Sequence, residues 1–426
     1  MTRRTTLRSA AIFAVAVIAV AAGTVIAQAP RSPAWITGWS TSQQVLGDAR
    51  ISNTTVRMIA RVTIPGDGVR IRLDNTFGVD ALSIGRVYVG YRIRGASLAA
   101  GSNRAVTFNG APTVVIPPGG TAWSDPVSLK VLAQQDLAVS IYVPGSGVRP
   151  SQHTAAVVTS YRSADGHGDV AATEAGDNFP ETTTAMWWLK AIDVQSTVAA
   201  RAPGAPGAPG AIVAFGDSIT DGTCSTLDAH DRWEDLLSVR LSLAPERMKA
   251  VLNEGIGGNT VTREGLTPPP DSPPGVDRLD RDALSHHGVT NAIVFMGTND
   301  IRRGATAASV IAGLTSIIQR IKAQRIHTTG VTIIPRHNVA PAGTNTGWNP
   351  EKTRIRNEVN QWIRTKAPFD DVLDFDQVVR DSTDADLLSA QFNCGDGIHP
   401  SPIGYFEMGK SIDLRVFGPR RSSTSR

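Results

Sequence analysis

The sequence lacks the features that mark several classes of protein. Its eight histidines show no metal-ligand spacing, since His286 and His287 are adjacent and would point apart. Basic residues form no stripe, so the net charge of +4 does not indicate nucleic-acid binding. The Gly-x-Ser-x-Gly elbow of one large class of hydrolases is absent. Beyond the first 27 residues, no apolar run is long enough to span a bilayer. We therefore expect no metal site, no nucleic-acid partner and no internal membrane span.

The first 27 residues have the composition of a secretory signal peptide. Arg3, Arg4 and Arg8 precede an apolar run over 10–26, and short residues at 25 and 27 fit cleavage after Ala27. Residues 2–8 also approximate a twin-arginine signal, with Thr6 where phenylalanine is usual. The alternative is an uncleaved anchor, although about 17 apolar residues are at the short limit for spanning. Cleavage removes three arginines and lowers the net charge from +4 to +1. We expect a secreted, periplasmic or cell-envelope protein with no stable membrane insertion after cleavage.

A Pro/Gly-rich linker at 199–210 divides the remaining chain into two segments with different sequence patterns. Three Pro-Gly steps in this stretch cannot continue a helix or a central strand. Residues 33–198 alternate apolar and polar side chains between turns, for example over 69–73 and 137–143. That pattern predicts an all-β domain, a β-sandwich or jelly roll, with further strands over 56–64 and 87–93.

After the linker, residues 211–418 alternate between strand and helix patterns. The strand candidates are 211–215, 249–253, 291–296, 328–334 and 372–375. Helical faces lie between them, such as the face formed by Val310, Leu314 and Ile321, and a last helix follows Pro402. The pattern predicts an α/β domain with a flavodoxin-like parallel sheet of five strands flanked by helices. Residues 419–426 are predicted to be a disordered polar tail.

The most informative residue is Ser218, which follows the first of these strands. Active sites of parallel sheets lie beyond the carboxyl ends of the strands, where Ser218 would fall. A serine hydroxyl needs a base within hydrogen-bond reach, and that base needs an orienting group. Asp396 and His399, three residues apart, have the spacing to supply both. Alone, Ser218 is more typical of a helix cap and His399 of a structural histidine. Their occurrence together favours a catalytic triad of Ser218, Asp396 and His399.

Two Gly/Asn-containing turns follow the next two strands. Glycines at 255–258 let backbone amides point at a ligand, and the Asn299 side chain is a donor. Acyl transfer needs donors aimed at the developing oxyanion, so we expect an oxyanion hole of Ser218, Gly258 and Asn299. Asp300 is interpreted as structural. Candidates for lining a substrate pocket are Asp217, Asn259 and His153, although core packing or a sheet edge is the commoner role for His153.

The only two cysteines, Cys224 and Cys394, each lie within six residues of a proposed catalytic residue. In an exported protein two thiols often form one bridge, which here would tie the nucleophile loop to the Asp/His loop. Two unpaired thiols are the alternative.

Together these blocks resemble the SGNH (GDSL-type) hydrolase family. The resemblance covers 211–418, with Ser218 in the nucleophile block and Ile219 where the family name has leucine. It implies that Gly258 and Asn299 are the oxyanion residues and that Asp396 and His399 are the Asp-x-x-His pair. The preceding β-rich part is similar, more loosely, to the sandwich domain of two-domain bacterial members, including some carbohydrate esterases.

Two other motifs are rejected as nucleotide sites. Residues 404–411 match the phosphate-loop pattern, but they follow Pro402 inside a helical pattern with no strand before them. The glycines at 255–258 lack the third glycine of a dinucleotide loop, where Thr260 stands.

We therefore expect a serine esterase without a cofactor, acting on short-chain acyl esters. The alternatives are a polysaccharide O-deacetylase, an acyltransferase, or a carbohydrate-binding protein whose hydrolase half is inactive. The substrate is then a small-molecule or polysaccharide ester, and the oligomeric state stays open.

Overall fold

The computed structural model describes residues 35–196, 210–336 and 348–417. The predicted signal peptide, almost all of the predicted linker and the predicted tail lie outside these ranges. In the part of the chain up to residue 196 the structure has the strands β1 (Trp35–Ser40), β2 (Val45–Leu46), β3 (Thr54–Val62), β4 (Gly66–Asp74), β5 (Leu82–Ile84), β6 (Arg86–Arg94), β7 (Ser97–Leu98), β8 (Arg104–Val106), β9 (Val114–Ile116), β10 (Thr121–Trp123), β11 (Val127–Val131), β12 (Gln135–Val143), β13 (Ser151–His153), β14 (Ser160–Arg162), β15 (Glu181–Thr183), β16 (Met186–Trp187) and β17 (Leu189–Ser196).

These strands form two main antiparallel sheets. One has the order β1-β17-β4-β10, with β11 also pairing with β4. The other has the order β15-β14-β3-β12-β6-β7, with β8 also pairing with β6. Buried residues of both sheets, such as Ile71 of β4 and Val139 of β12, belong to one apolar cluster. The predicted all-β part is therefore confirmed, and its long strands start within two or three residues of the predicted positions because alternation marks them clearly.

From residue 210 onward, strands and helices alternate. The strands are β18 (Ala211–Gly216), β19 (Ala250–Gly255), β20 (Val289–Phe295), β21 (His327–Val331) and β22 (Asp371–Leu373). The helices are α1 (Ser218–Asp221), α2 (Trp233–Ser242), α3 (Gly275–Leu279), α4 (Thr298–Arg302), α5 (Ala307–Ala323), α6 (Pro350–Thr365), α7 (Phe375–Val379) and α8 (Pro402–Ser411). Short 3₁₀ turns at Pro245–Arg247 and Leu414–Phe417 and a π-helical turn at Asp280–Leu284 complete the set.

All five strands are parallel and stand in the order β19-β18-β20-β21-β22. This is the flavodoxin-like order predicted from the sequence. Successive residues of β18 belong to different apolar clusters, with Val213 and Phe215 on one side and Ile212 and Ala214 on the other. Both faces of the sheet are therefore covered, which explains why β18 is a continuous apolar run rather than an alternating one.

The described residues of the all-β part and of the α/β part belong to one compact unit. The apolar cluster of the sandwich continues into one face of the parallel sheet. Backbone groups also join the two parts, since the Thr37 amide donates to the His287 carbonyl at 3.0 Å and the Val251 amide donates to Thr63 Oγ1 at 3.1 Å. The two segments with different sequence patterns are thus not two independently packed domains.

The phosphate-loop pattern at 404–411 lies inside α8, as expected from its sequence context. Its glycines have a packing explanation. A Cβ atom at Gly409 would lie 2.6 Å from the Trp233 carbonyl oxygen, and one at Gly404 would lie 2.9 Å from the Phe392 carbonyl oxygen. Close helix packing therefore accounts for these two glycines.

Candidate active site

Ser218 is the first residue of α1 and follows the end of β18 after one residue. Asp217 caps the helix, since its side chain accepts from the Ile219 amide at 3.0 Å. A Cβ atom at Gly216 would lie 2.1 Å from Thr220 Oγ1, so only glycine allows this close strand-to-helix turn. Gly222, with φ of 103°, ends the helix after one turn. The turn thus holds the Ser218 hydroxyl at the carboxyl edge of the sheet.

His399 and Asp396 meet Ser218 there. The Ser218 Oγ atom lies 2.8 Å from His399 Nε2, and His399 Nδ1 lies 2.5 Å from Asp396 Oδ2. The carboxylate only accepts, so Nδ1 carries a proton and Nε2 is left to accept from the serine hydroxyl. The fold brings these groups together from positions 181 residues apart. The hydrogen bonds therefore connect a serine to a base and that base to an acid that can orient it.

Asp396 is held in its ionised form. Burial acts to raise its pKa, but the hydrogen bond and electrostatic attraction of the His399 ring and the amides of His399 and Ile398 outweigh burial and lower the pKa to about 2. Those amides donate to Asp396 Oδ1 at 2.9 and 2.8 Å. The carboxylate is therefore charged at neutral pH and fixed in orientation, as an acid that orients a base requires.

The loop that carries Asp396 and His399 is anchored to the nucleophile loop. Cys394 is joined to Cys224 by a disulfide bond, with a sequence separation of 170 and 6.2 Å between their Cα atoms. The Cys394 amide also donates to the His399 carbonyl at 3.1 Å. The disulfide predicted from the sequence is thus confirmed, and it lies beside the site.

The candidate oxyanion donors follow the ends of three neighbouring strands, because Gly216 of β18 pairs with Gly255 of β19 and with Phe295 of β20. Gly258 has a φ of 71°, which favours glycine. Asn299 Nδ2 donates to the Asn259 carbonyl at 3.0 Å, which leaves its second N–H available.

Among the described residues, none accepts from the Ser218 or Gly258 amide. For Ser218 this follows from its place in the first turn of α1. The loop after β19 is fixed from the other side by Asp300, whose carboxylate accepts from the amides of Val261 at 2.8 Å and Thr262 at 3.0 Å. This is the structural role expected for Asp300.

The three predicted pocket residues are all buried, with exposures of 1% for Asp217, 0% for Asn259 and 2% for His153. Asn259 donates to Ser272 and Pro273 through its amide nitrogen. His153 contacts Asp221, and Asp217 caps α1. All three side chains are thus buried and held by other groups of the protein, and their contact with a substrate stays a prediction.

Burial also changes the ionisation of Asp217. It raises the pKa of this carboxyl to about 7, although the Ile219 amide and the electrostatic attraction of His399 and Arg336 act in the opposite direction. Below about pH 7, Asp217 is therefore mainly neutral and places no negative charge beside Ser218, where an anion would oppose a developing oxyanion.

Sequence reasoning missed the buried charges behind the oxyanion loop. Arg278 donates to the Gly216 carbonyl at 2.7 Å, to the Glu254 carbonyl at 2.9 Å and to Asn259 Oδ1 at 3.0 Å. It therefore ties the ends of β18 and β19 to the loop after β19. Its guanidinium also lies 4.1 Å from the centroid of the Phe215 ring.

Lys190 of the all-β part lies in the same cluster. Its ammonium donates to Asp282 at 2.7 Å and to Glu254 at 3.3 Å, and all three side chains are buried. Ser40 and Ser42 also donate to Glu254. No local pattern marks these residues, because each partner comes from a distant part of the chain.

Comparison with known protein families identifies part of the chain. Residues 214–405 match the model of the GDSL-like lipase/acylhydrolase family. The chain thus contains a GDSL-like lipase/acylhydrolase domain over these residues. It is accordingly a hydrolase of ester bonds. No curated protein matches the chain.

Several solved structures are similar to this GDSL-like domain. A carbohydrate acetylesterase family member from Sinorhizobium meliloti is 16% identical, with 49% of this chain and 98% of that chain covered and a TM-score of 0.40. The aryl esterase of M. smegmatis is 19% identical, with 47% and 95% covered and a TM-score of 0.37. A GDSL-like lipase from Bacteroides thetaiotaomicron is 16% identical, with 48% and 87% covered and a TM-score of 0.35. The names of these proteins assign no substrate to this chain.

Proposed function

We propose that this chain is a secreted serine esterase that hydrolyses short-chain carboxylic esters through an acyl-enzyme on Ser218. The observation that carries the proposal is the hydrogen-bonded series from Ser218 Oγ to His399 Nε2 and from His399 Nδ1 to Asp396. A serine needs such a base to attack a carbonyl at neutral pH.

In the proposed acylation step, Ser218 Oγ forms a bond to the ester carbonyl carbon while His399 Nε2 takes the hydroxyl proton. The carbonyl oxygen becomes an oxyanion that accepts from the amides of Ser218 and Gly258 and from Asn299. His399 then returns the proton to the departing alcohol as the carbon–oxygen bond breaks. Asp396 stabilises the imidazolium that forms in between.

In the proposed deacylation step, His399 takes a proton from water and the hydroxide attacks the acyl-enzyme carbonyl. The carboxylic acid leaves as Ser218 Oγ recovers its proton from His399. Ester and water are consumed, and acid and alcohol are formed, so no cofactor enters the balance.

Two observations support the finer parts of the proposal. Ser218 is only 7% exposed, which favours a small acyl group over a long chain. The disulfide between Cys224 and Cys394 favours an oxidising compartment, as the signal peptide predicted from the sequence does. Among the described residues, no helix is both long and apolar enough to cross a membrane.

The test is hydrolysis of a p-nitrophenyl ester series from acetate to dodecanoate by the protein without its first 27 residues. We expect the highest kcat/KM at acetate or butyrate, and a loss of at least about 10³-fold in Ser218→Ala with its melting temperature retained. Ser225→Ala is the matched control, since Ser225 lies on the same loop and its hydroxyl donates to the Gly222 carbonyl. Full activity in Ser218→Ala would overturn the assignment of the nucleophile. A maximum at long chains would overturn the substrate class.

A further inference from the structure

A series of buried hydrogen bonds leads from the all-β part to the candidate oxyanion loop. His153, the last residue of β13, lies with Nδ1 2.9 Å from the Ser42 carbonyl oxygen and with Nε2 2.9 Å from Asp221 Oδ1. Asp221 Oδ2 in turn accepts from the Gly257 amide at 2.9 Å. Gly257 directly precedes Gly258, whose amide is a proposed oxyanion donor.

The proton positions in this series follow from the partners. The Ser42 carbonyl only accepts, so His153 Nδ1 carries a proton. Asp221 accepts from the Gly257 amide with one carboxyl oxygen and faces His153 Nε2 with the other, so one proton lies between Nε2 and Asp221 Oδ1. Burial acts to lower the pKa of His153, but the charge and hydrogen bond of Asp221 and the Ser42 carbonyl outweigh burial and raise it. His153 and Asp221 therefore share one hydrogen-bonded proton, and each group is held by a second partner.

This arrangement leaves Asp221 little freedom. Both its carboxylate oxygens are engaged, and its exposure is 4%. It lies at the end of α1, three residues after Ser218, so the same short helix carries the nucleophile and the acceptor for Gly257. A rotation of Asp221 would release the Gly257 amide and with it the peptide that leads into Gly258.

On the proposed function, the geometry points to His153 as a positioning residue for the oxyanion loop. His153 fixes Asp221, Asp221 fixes the Gly257 amide, and the Gly258 amide is thereby aimed at the developing oxyanion. The all-β part, through β13, thus contributes to the reaction without touching the substrate. Removal of one oxyanion donor costs about 10²- to 10³-fold in kcat, and displacement of one costs a fraction of that.

Two substitutions separate this role from simple packing, because each keeps one of the two hydrogen bonds. His153→Gln places an amide nitrogen near the position of Nε2 and keeps the bond to Asp221. His153→Asn places its amide near the position of Nδ1 and keeps the bond to Ser42. Both lose the imidazole and one hydrogen bond, so a purely structural role predicts equal effects.

We expect His153→Asn to lower kcat by about 10- to 100-fold with KM within about twofold of the unsubstituted protein. We expect His153→Gln to lose less than about threefold. A trifluoromethyl ketone that forms an oxyanion adduct on Ser218 should bind more weakly to His153→Asn by the same factor as its kcat/KM. Equal kcat values in the two variants, or a loss confined to KM or to melting temperature, would overturn the inference.

Thr37→Val is the matched control. Thr37 is buried between the two parts and accepts from the His287 amide at 3.0 Å, but it lies at the opposite end of the parallel sheet, near Gly288. We expect a lower melting temperature and unchanged kcat. A loss of kcat in Thr37→Val would show that any disturbance between the parts impairs the reaction, which also overturns the inference.

If neither His153 variant folds, the same contrast is available at Asp221. Asp221→Asn keeps an acceptor for the Gly257 amide and a donor toward a neutral His153, whereas Asp221→Leu keeps neither, so only the latter should lose kcat by about 10-fold or more. Labelling of Ser218 by a fluorophosphonate in the unsubstituted protein distinguishes a failure of the proposed function from a failure of the role proposed for His153. Absence of labelling contradicts the proposed function, whereas labelling combined with equal variants contradicts the role of His153 alone.

Discussion

The unusual ionisation of Asp217 leads to a quantitative prediction for Asp217→Asn. Asp217 is 1% exposed, and its pKa is raised from 3.8 to about 7 because burial disfavours the charged form. The unfolded chain releases this proton near pH 4 and the folded protein near pH 7. Stability therefore falls as the pH rises between these values, and the full loss is present above about pH 7.

The magnitude follows from the two pKa values. A difference of one pKa unit corresponds to about 1.4 kcal/mol, so ionised Asp217 lowers the free energy of unfolding by up to roughly 4 kcal/mol at pH 8. Asparagine keeps an oxygen that accepts from the Ile219 amide and is a good N-cap residue, but it carries no charge. We expect Asp217→Asn to match the unsubstituted protein at pH 4 and to be more stable by about 3 to 4 kcal/mol at pH 8.

The assay is urea unfolding at pH 4, 6 and 8, with the disulfide intact in both proteins. Asp271→Asn is the control, because the Asp271 side chain is fully exposed and its substitution should change stability by less than about 0.5 kcal/mol. A stability difference for Asp217→Asn that is the same at all three pH values would refute the reasoning. So would a variant that is less stable at pH 8.

Two further predictions concern the disulfide and the oxyanion hole. Replacing Cys224 and Cys394 by serine should lower the free energy of unfolding by about 3 to 5 kcal/mol, because the disulfide closes a long segment with a sequence separation of 170. Urea unfolding measures this difference, and an unchanged free energy of unfolding would contradict the prediction. Asn299→Ala should lower kcat by about 10²- to 10³-fold with little change in KM, measured on p-nitrophenyl acetate; a loss confined to KM would indicate ground-state binding instead.

The sequence was sufficient to predict the fold class of both parts. Alternation along β12 and the continuous apolar run of β18 distinguish a strand of an antiparallel sheet from a central strand of a parallel sheet, although the middle of β12 is also buried on both faces. The ends of elements were less well predicted. β21, expected over 328–334, is observed at His327–Val331, because residues that leave the sheet can remain buried, as Ile333 and Ile334 do.

Some residues of the candidate site could likewise be predicted from the sequence, and others could not. Ser218, Asp396 and His399 belong to short blocks with recognisable spacing, so the sequence alone marks them as candidates. The sequence also indicates His153, but it does not reveal the environment of this residue, since its partner Asp221 lies 68 residues away. No sequence pattern indicates the buried cluster of Arg278, Lys190 and Glu254. Charged residues are usually solvated, and only the packing of the two parts buries these three together.

The central claim is that Ser218 is a nucleophile activated by His399 and Asp396, and labelling by a fluorophosphonate tests it most directly, because only an activated serine reacts. Intact mass should show one adduct per chain, and peptide mapping should place it on Ser218. We expect no adduct in Ser218→Ala and labelling at least about 10³-fold slower in His399→Ala. An adduct on another residue, or labelling at an unchanged rate in His399→Ala, would contradict the account.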